Sequence, residues 1–202
     1  MRHSVVDAIR RALMQGRFQP GEPLSDVALA TEMGISRGPV REALLVLAEE
    51  GLVVHLQNRG FSVLRFTRED ARQVQQVREP LETLALELAR TRLSRQDLLQ
   101  LEALALRLCE RFEGKEMVEA TRCDWDFHHL IWERSDNPRL VASLRTLLTP
   151  YFAYGMAFQL GRPDLCTGLL RKQHAMYLGF LSGDLAVTAA DCVKFHIYEE
   201  TV

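Results

Sequence analysis

Apolar positions recur every three or four residues from the start of the chain. Val5, Ala8, Ile9, Ala12 and Leu13 share one face and predict a helix over 4–15, closed by Gly16. Phe18-Gln19-Pro20-Gly21 reads as a turn. A second amphipathic segment, with Val27, Leu29, Ala30 and Met33, then runs into a Gly34-Ile35 turn. Ser36 is expected to N-cap the next helix through its hydroxyl, with Pro39 in the first turn, where its missing N–H costs nothing. Val40, Ala43, Leu44 and Leu47 form that helix's inward face, and Arg37 and Arg41 lie on another. After Gly51 two short apolar runs, Leu52-Val53-Val54 and Phe61-Ser62-Val63-Leu64, predict a hairpin closed by Gln57-Asn58-Arg59-Gly60.

Beyond Arg65 the strand signals vanish. Thr67 with Asp70, and Ser94 with Asp97, have the form of capping boxes, and Asn137-Pro138 and Gly183-Asp184 mark breaks. The pattern predicts helices over 67–92, 94–113, 116–135, 137–160 (with Pro150 as a point of interruption), 164–182 and 184–198. Six helices on short connections make an antiparallel bundle. The chain is therefore expected to be mostly α. A winged helix-turn-helix domain over 1–66 precedes an all-helical domain over 67–202. Arginines at the start of the second helix of such a pair are placed to meet guanine edges and phosphates in a major groove.

Composition changes this picture little. Forty-seven per cent hydrophobic and 26% charged residues are ordinary for a globular protein, and 202 residues suffice for two cores. The net charge of −2 argues against an indiscriminate polyanion binder. Residues 1–66 carry eight arginines, no lysine and seven acids; the remainder carries 17 basic and 20 acidic residues. A near-neutral head still binds DNA if its cations face one side, and a homodimer doubles that patch. Cys109, Cys123, Cys166 and Cys192 show no paired spacing, which fits reduced thiols in a cytoplasmic protein. Neither a signal peptide nor a run of membrane-spanning length is evident, so no membrane partner is expected.

The informative residues are polar ones on apolar stripes. Asp124 and His128 lie one turn apart on the line of Met117, Ala120, Phe127 and Ile131. His174 shares a face with Leu170, Leu178 and Leu181, and His196 with Ala189, Cys192 and Val193. Each histidine alone reads as a core residue bonded to a carbonyl. One carboxylate and three imidazoles aimed into one core read better as a shared site for zinc, nickel or manganese. Arg78 (with Val74, Val77 and Leu81) and Arg145 (with Val141, Leu144 and Leu148) are also inward by helical phase. A buried guanidinium needs an anion: a carboxylate ligand held in bidentate fashion, or a structural partner such as Glu82 for Arg78. The aromatic residues Tyr151, Phe152, Tyr154 and Phe158 either wall a cavity or are plain core.

The string Gly16-Arg17-Phe18-Gln19-Pro20-Gly21-Glu22-Pro23-Leu24, then Leu29-Ala30 through Val53, then Arg59-Gly60-Phe61-Ser62-Val63, resembles the GntR family of bacterial transcription regulators. The resemblance implies DNA contacts by Ser36, Arg37, Arg41 and the wing residues Asn58, Arg59 and Gly60. Some members of the family carry a DNA-reaching arginine in the second helix; the corresponding position here is Val27, which shifts the weight to the others. Asp124-x-x-Phe127-His128, Ser135-Asp136-Asn137-Pro138 and a histidine pair 22 apart are similar to the FCD effector domain over about residues 70–198. That similarity implies a divalent metal on Asp124, His128, His174 and His196. It also implies a small organic or sugar acid beside the metal, and the inward phase of Arg78 and Arg145 offers either as its partner. A dimeric repressor on a short inverted-repeat operator, released by its effector, is the expectation. Two alternatives compete with it: a metal-dependent hydrolase, for which no inward general base stands out, and a DNA binder whose metal is purely structural.

Overall fold

The computed structural model describes residues 2–56, 60–159, 163–184 and 186–194. The N-terminal part runs α1 (Arg2–Met14), β1 (Pro23–Leu24), α2 (Asp26–Met33), α3 (Arg37–Glu49), β2 (Val53–Leu56) and β3 (Gly60–Val63). Val5 and Ile9 of α1, Leu29 and Ala30 of α2, and Val40, Ala43, Leu44 and Leu47 of α3 close one core over Leu24 and Phe61 of the sheet. The expected hairpin is a three-stranded antiparallel sheet in the order β1-β3-β2, with Leu24 opposite Phe61 and Val53 opposite Val63. A two-residue strand is too short to show alternation in sequence; it forms because β3 offers an open edge. Gly34, at φ 65°, closes α2 by donating its N–H to the carbonyls of Ala30 and Thr31, a left-handed cap that a Cβ would strain.

The helical part comprises α4 (Arg68–Arg90), α5 (Arg95–Glu113), α6 (Met117–Arg134), α7 (Pro138–Gln159), α8 (Pro163–Ser182) and α9 (Ala189–Lys194). Both capping boxes form, at Thr67–Asp70 and Ser94–Asp97. α5 lies against α6 and α8, and α4 against α6, α7 and α9. Leu86, Leu101, Phe127, Tyr177 and Val193 fill one core between them, and Trp132, Leu144, Leu148 and Tyr151 a second.

Two expectations are corrected. α7 runs through Pro150 without a break, its flanking turns carrying back-bonds from Thr146 Oγ1 to Ala142 and from Thr149 Oγ1 to Arg145. The last helix starts at Ala189 rather than 184, because Thr188 and Asp191 form a further capping box at 2.9 and 3.1 Å. The head meets the body where Gly51, at φ 74°, faces Pro150: a Cβ there would stand 2.7 Å from the proline Cγ. Beside that contact Arg10 forks onto Glu50 at 2.8 and 2.9 Å, tying α1 to the end of α3. Among the described residues no helix is long and apolar enough to cross a membrane.

Candidate metal centre and nucleic-acid interface

Asp124 and His128 sit one turn apart on α6, and α8 brings His174 across to them. One ligand atom from each lies within 4.8 Å of the others. The hydrogen bonds around them decide which nitrogens are available. His174 Nδ1 is 2.8 Å from the carbonyl of Leu170, which only accepts, so Nδ1 carries the proton. His174 Nε2 is then left facing Oδ1 of Asp124 at 3.0 Å. His128 repeats the arrangement: Nδ1 is 3.0 Å from Oε1 of Glu82, at an oblique angle, and Nε2 is 3.7 Å from the same Asp124 oxygen. The Nε2 atoms of both histidines thus face one carboxylate, an arrangement that a cation or an added proton between its members would satisfy. A carbonyl behind His174 and a carboxylate close behind His128 are groups of the kind that back metal-ligating histidines, so the donor set fits a divalent ion. Burial, the largest single influence, would raise the Asp124 pKa; His174, then His128 and Arg78, together outweigh it and hold the carboxyl below the usual range. His196 lies outside the described residues. His129, off the stripe, stacks on Trp125 and takes no part.

Behind the histidines stands a fully buried ion pair. Arg78 and Glu82, one turn apart on α4, bond through Nε and Oε2 with neither side chain appreciably exposed. Trp132 Nε1 donates to the other Glu82 oxygen at 2.9 Å. The guanidinium lies over the rings of Tyr151 and Phe152, 5.4 and 5.8 Å from their centroids. Burial alone would raise the Glu82 pKa; Arg78 first, then His128, hold the carboxyl down at about 2. Arg78 is accordingly inward, with the intramolecular partner that sequence spacing allowed. Arg145 is not inward. Leu144 and Leu148 define the buried line of α7, and Arg145 turns away from it into solvent, on the rim of a cleft of about 480 Å³ between head and body. Phe152 divides that cleft from the site: it lines the cleft and places its ring 5.3 Å from that of His128. Tyr151 and Phe152 are both wall and core; the side chains of Tyr154 and Phe158 lie outside the described residues.

On the head, Ser36, Arg37 and Arg41 are exposed at the N-terminal end of α3. The Ser36 hydroxyl makes no capping bond, contrary to expectation; Ser25 caps α2 instead, accepting the Ala28 N–H at 3.2 Å. Arg37 and Arg41 both approach Asp26, at 3.2 and 3.6 Å, which holds the two guanidinium groups side by side on one face. Val27 is exposed on the same helix as Asp26. Gly60 opens β3 at φ 80°, while Asn58 and Arg59 lie outside the described residues.

An exposed arginine pair at a helix-turn-helix is thus carried on a helical body that holds a buried donor set. The chain belongs to the GntR family of bacterial transcription regulators: residues 2–63 match the profile for "Bacterial regulatory proteins, gntR family" and residues 73–198 that for the FCD domain. It is 34% identical over 134 residues to the uncharacterized HTH-type transcriptional regulator YdhC of Bacillus subtilis, covering 65% of this chain and 59% of that one. It is 29% identical over 143 residues to the HTH-type transcriptional regulator McbR of Escherichia coli, covering 71% and 65%. The chain thus spans about three-fifths of the length of the curated relatives it matches. The solved structure of E. coli McbR/YncC superposes with a TM-score of 0.78 over 98% of this chain and 93% of that one, at 24% identity. A GntR regulator from Rhodococcus gives 0.66 over 98% and 94%, at 22%. These relatives are regulators, not enzymes.

Proposed function

We propose that the chain is a cytoplasmic, ligand-responsive repressor, divided near residue 66, that binds an inverted-repeat operator as a homodimer. A divalent ion (zinc, nickel or manganese) and one small organic or sugar acid occupy the helical domain. The reading is carried by one observation: Asp124, His128 and His174 bring one ligand atom each to within 4.8 Å of one another, with His174 Nε2 facing Asp124 from 3.0 Å. Asp124, His128 and His174 would hold the ion, with His196 as the further ligand, and the ion would supply a Lewis-acid anchor for a carboxylate. The buried charges favour a single carboxylate. Arg78 and Glu82 cancel, which leaves the one charge of Asp124 against the two of a divalent ion. Arg78 would act from behind the site and Arg145 from the cleft rim.

Dimerisation is supported by unpartnered apolar residues one heptad apart, Val77 and Leu84 on α4 and Leu99 and Leu106 on α5, all at least 41% exposed. Coupling to DNA would pass through Phe152, which touches His128 on one side and faces Arg10 and Glu50 across the cleft on the other. An acid that favours one seating of that ring shifts the head between arrangements by its differential affinity. Ser36, Arg37 and Arg41, with Asn58, Arg59 and Gly60 of the wing, would meet the operator.

The test is thermal unfolding of metal-free protein titrated with Zn²⁺, Ni²⁺ or Mn²⁺, beside His174→Ala. At a hundredfold excess over Kd a bound ion adds about 2.7 kcal/mol, and the variant should lose that shift. Operator binding followed by anisotropy should weaken on adding the acid. No metal-dependent shift in the parent protein, or an operator affinity indifferent to every organic and sugar acid tried, overturns the reading.

A further inference from the structure

Tyr177 stands on α8 three residues after His174, 1% exposed, with its ring edge-on to His128 at 5.1 Å and to Phe127 at 5.9 Å. Among the described residues its hydroxyl has no hydrogen-bond partner. A phenol sealed in a core ordinarily finds one, because leaving the group dry and unmatched costs about 1–3 kcal/mol. A phenylalanine would fill the same space without that cost. Its ring packs directly on His128, and beyond the effect of burial its hydroxyl is within electrostatic reach of Glu82, Arg78, Cys192 and Asp124.

We propose that Tyr177 is a specificity-determining residue of the effector site: its hydroxyl bonds to an oxygen on the carbon next to the effector's carboxylate, so the acid sensed is a 2-hydroxy monocarboxylate. The inference rests on the effector reading above and deepens it. One side chain of α8 anchors the metal, and the next turn of the same helix reads the substituent. The hydroxyl can donate to, or accept from, such a group, whereas an unsubstituted acid leaves it unmatched. Sites that hydrogen-bond a substrate hydroxyl discriminate through the polar group left unpaired by the analogue.

The experiment is a two-by-two cycle on the metal-loaded full chain, with glycolate and acetate as probes and Tyr177→Phe as the variant, read by calorimetric titration. In the parent protein glycolate should bind more tightly than acetate. In Tyr177→Phe that preference should fall by roughly three- to tenfold, the size of one hydrogen bond. Any chelation of the metal by glycolate is common to both proteins and cancels in the cycle. The free variant should be as stable as the parent protein or more so, because it loses an unmatched buried hydroxyl; a destabilised variant would mean a structural hydroxyl and overturn the proposal. An unchanged glycolate preference also overturns it while leaving the effector reading intact. If neither acid binds the parent protein, the effector reading and this proposal fall together.

Discussion

Replacing Glu82 by glutamine keeps the shape of the side chain and an oxygen for Trp132 Nε1, but removes the charge opposite Arg78. The guanidinium is fully buried and bonded to Glu82 through Nε. Stripping a buried charge of its partner costs about 3–5 kcal/mol. Unfolding entropy is about 2.1 cal/mol/K per residue, so a helical body of roughly 130 residues loses about 3.7 °C of Tm per kcal/mol. Glu82→Gln should therefore lower the Tm of the body by about 11–18 °C, read by far-ultraviolet circular dichroism at pH 7. A second variant guards against simple failure to fold. Arg78→Met with Glu82→Leu replaces the pair by apolar groups of similar size and should come back to within about 2 kcal/mol of the parent protein, or exceed it. That double variant should nonetheless lose orientation of His128, since the Glu82 oxygen 3.0 Å from Nδ1 is gone. A Glu82→Gln loss below about 4 °C would mean the pair is hydrated or weakly charged, and the account of a dry, charged support behind the histidines would be wrong.

Two further outcomes follow from the head and the capping boxes. Arg37→Ala should weaken operator binding by roughly ten- to hundredfold and relax sequence preference at one position of each half-site, as read by anisotropy across single-base variants; equal loss on all sequences would mean a phosphate contact only. Asp97, bonded to Arg134 at 2.7 Å and to the Ser94 hydroxyl and N–H, is held well below the ordinary carboxylate range, Arg134 being the largest cause. Its folded pKa lies below its unfolded one, so its contribution is complete above about pH 4 and is lost as pH falls further. Asp97→Asn should lower Tm by about 3–5 °C at pH 7 and flatten the acid side of the stability profile, checked by unfolding scans from pH 7 to pH 2; an unchanged acid limb refutes the linkage.

The helices of the head were legible in the sequence. Val40, Ala43, Leu44 and Leu47 recur at helical spacing and are all fully buried in α3. β1 was not legible, because two residues carry no period and only the free edge of β3 gives them a partner. Asp124, His128 and His174 were visible as polar residues on apolar stripes, and α6 and α8 do bring them together. Arg145 was misread, since helical phase leaves a residue at the margin of a stripe free to turn either way, and the neighbouring α4 and α6 decide. Tyr177 was missed because a tyrosine on an apolar stripe looks like core until its hydroxyl is seen to lack a partner.

The order of amino acids by itself determined which segments are helices, where most of them start, and which faces seek a core. Those outcomes depend on neighbours within a few residues, through capping, turn chemistry and periodicity. Only the packed chain decided which inward polar groups share a site, which imidazole nitrogens face Asp124, and that Glu82 pairs with the buried Arg78. These depend on the distances between helices far apart in sequence, and on a dry interior that leaves each buried charge few choices of partner.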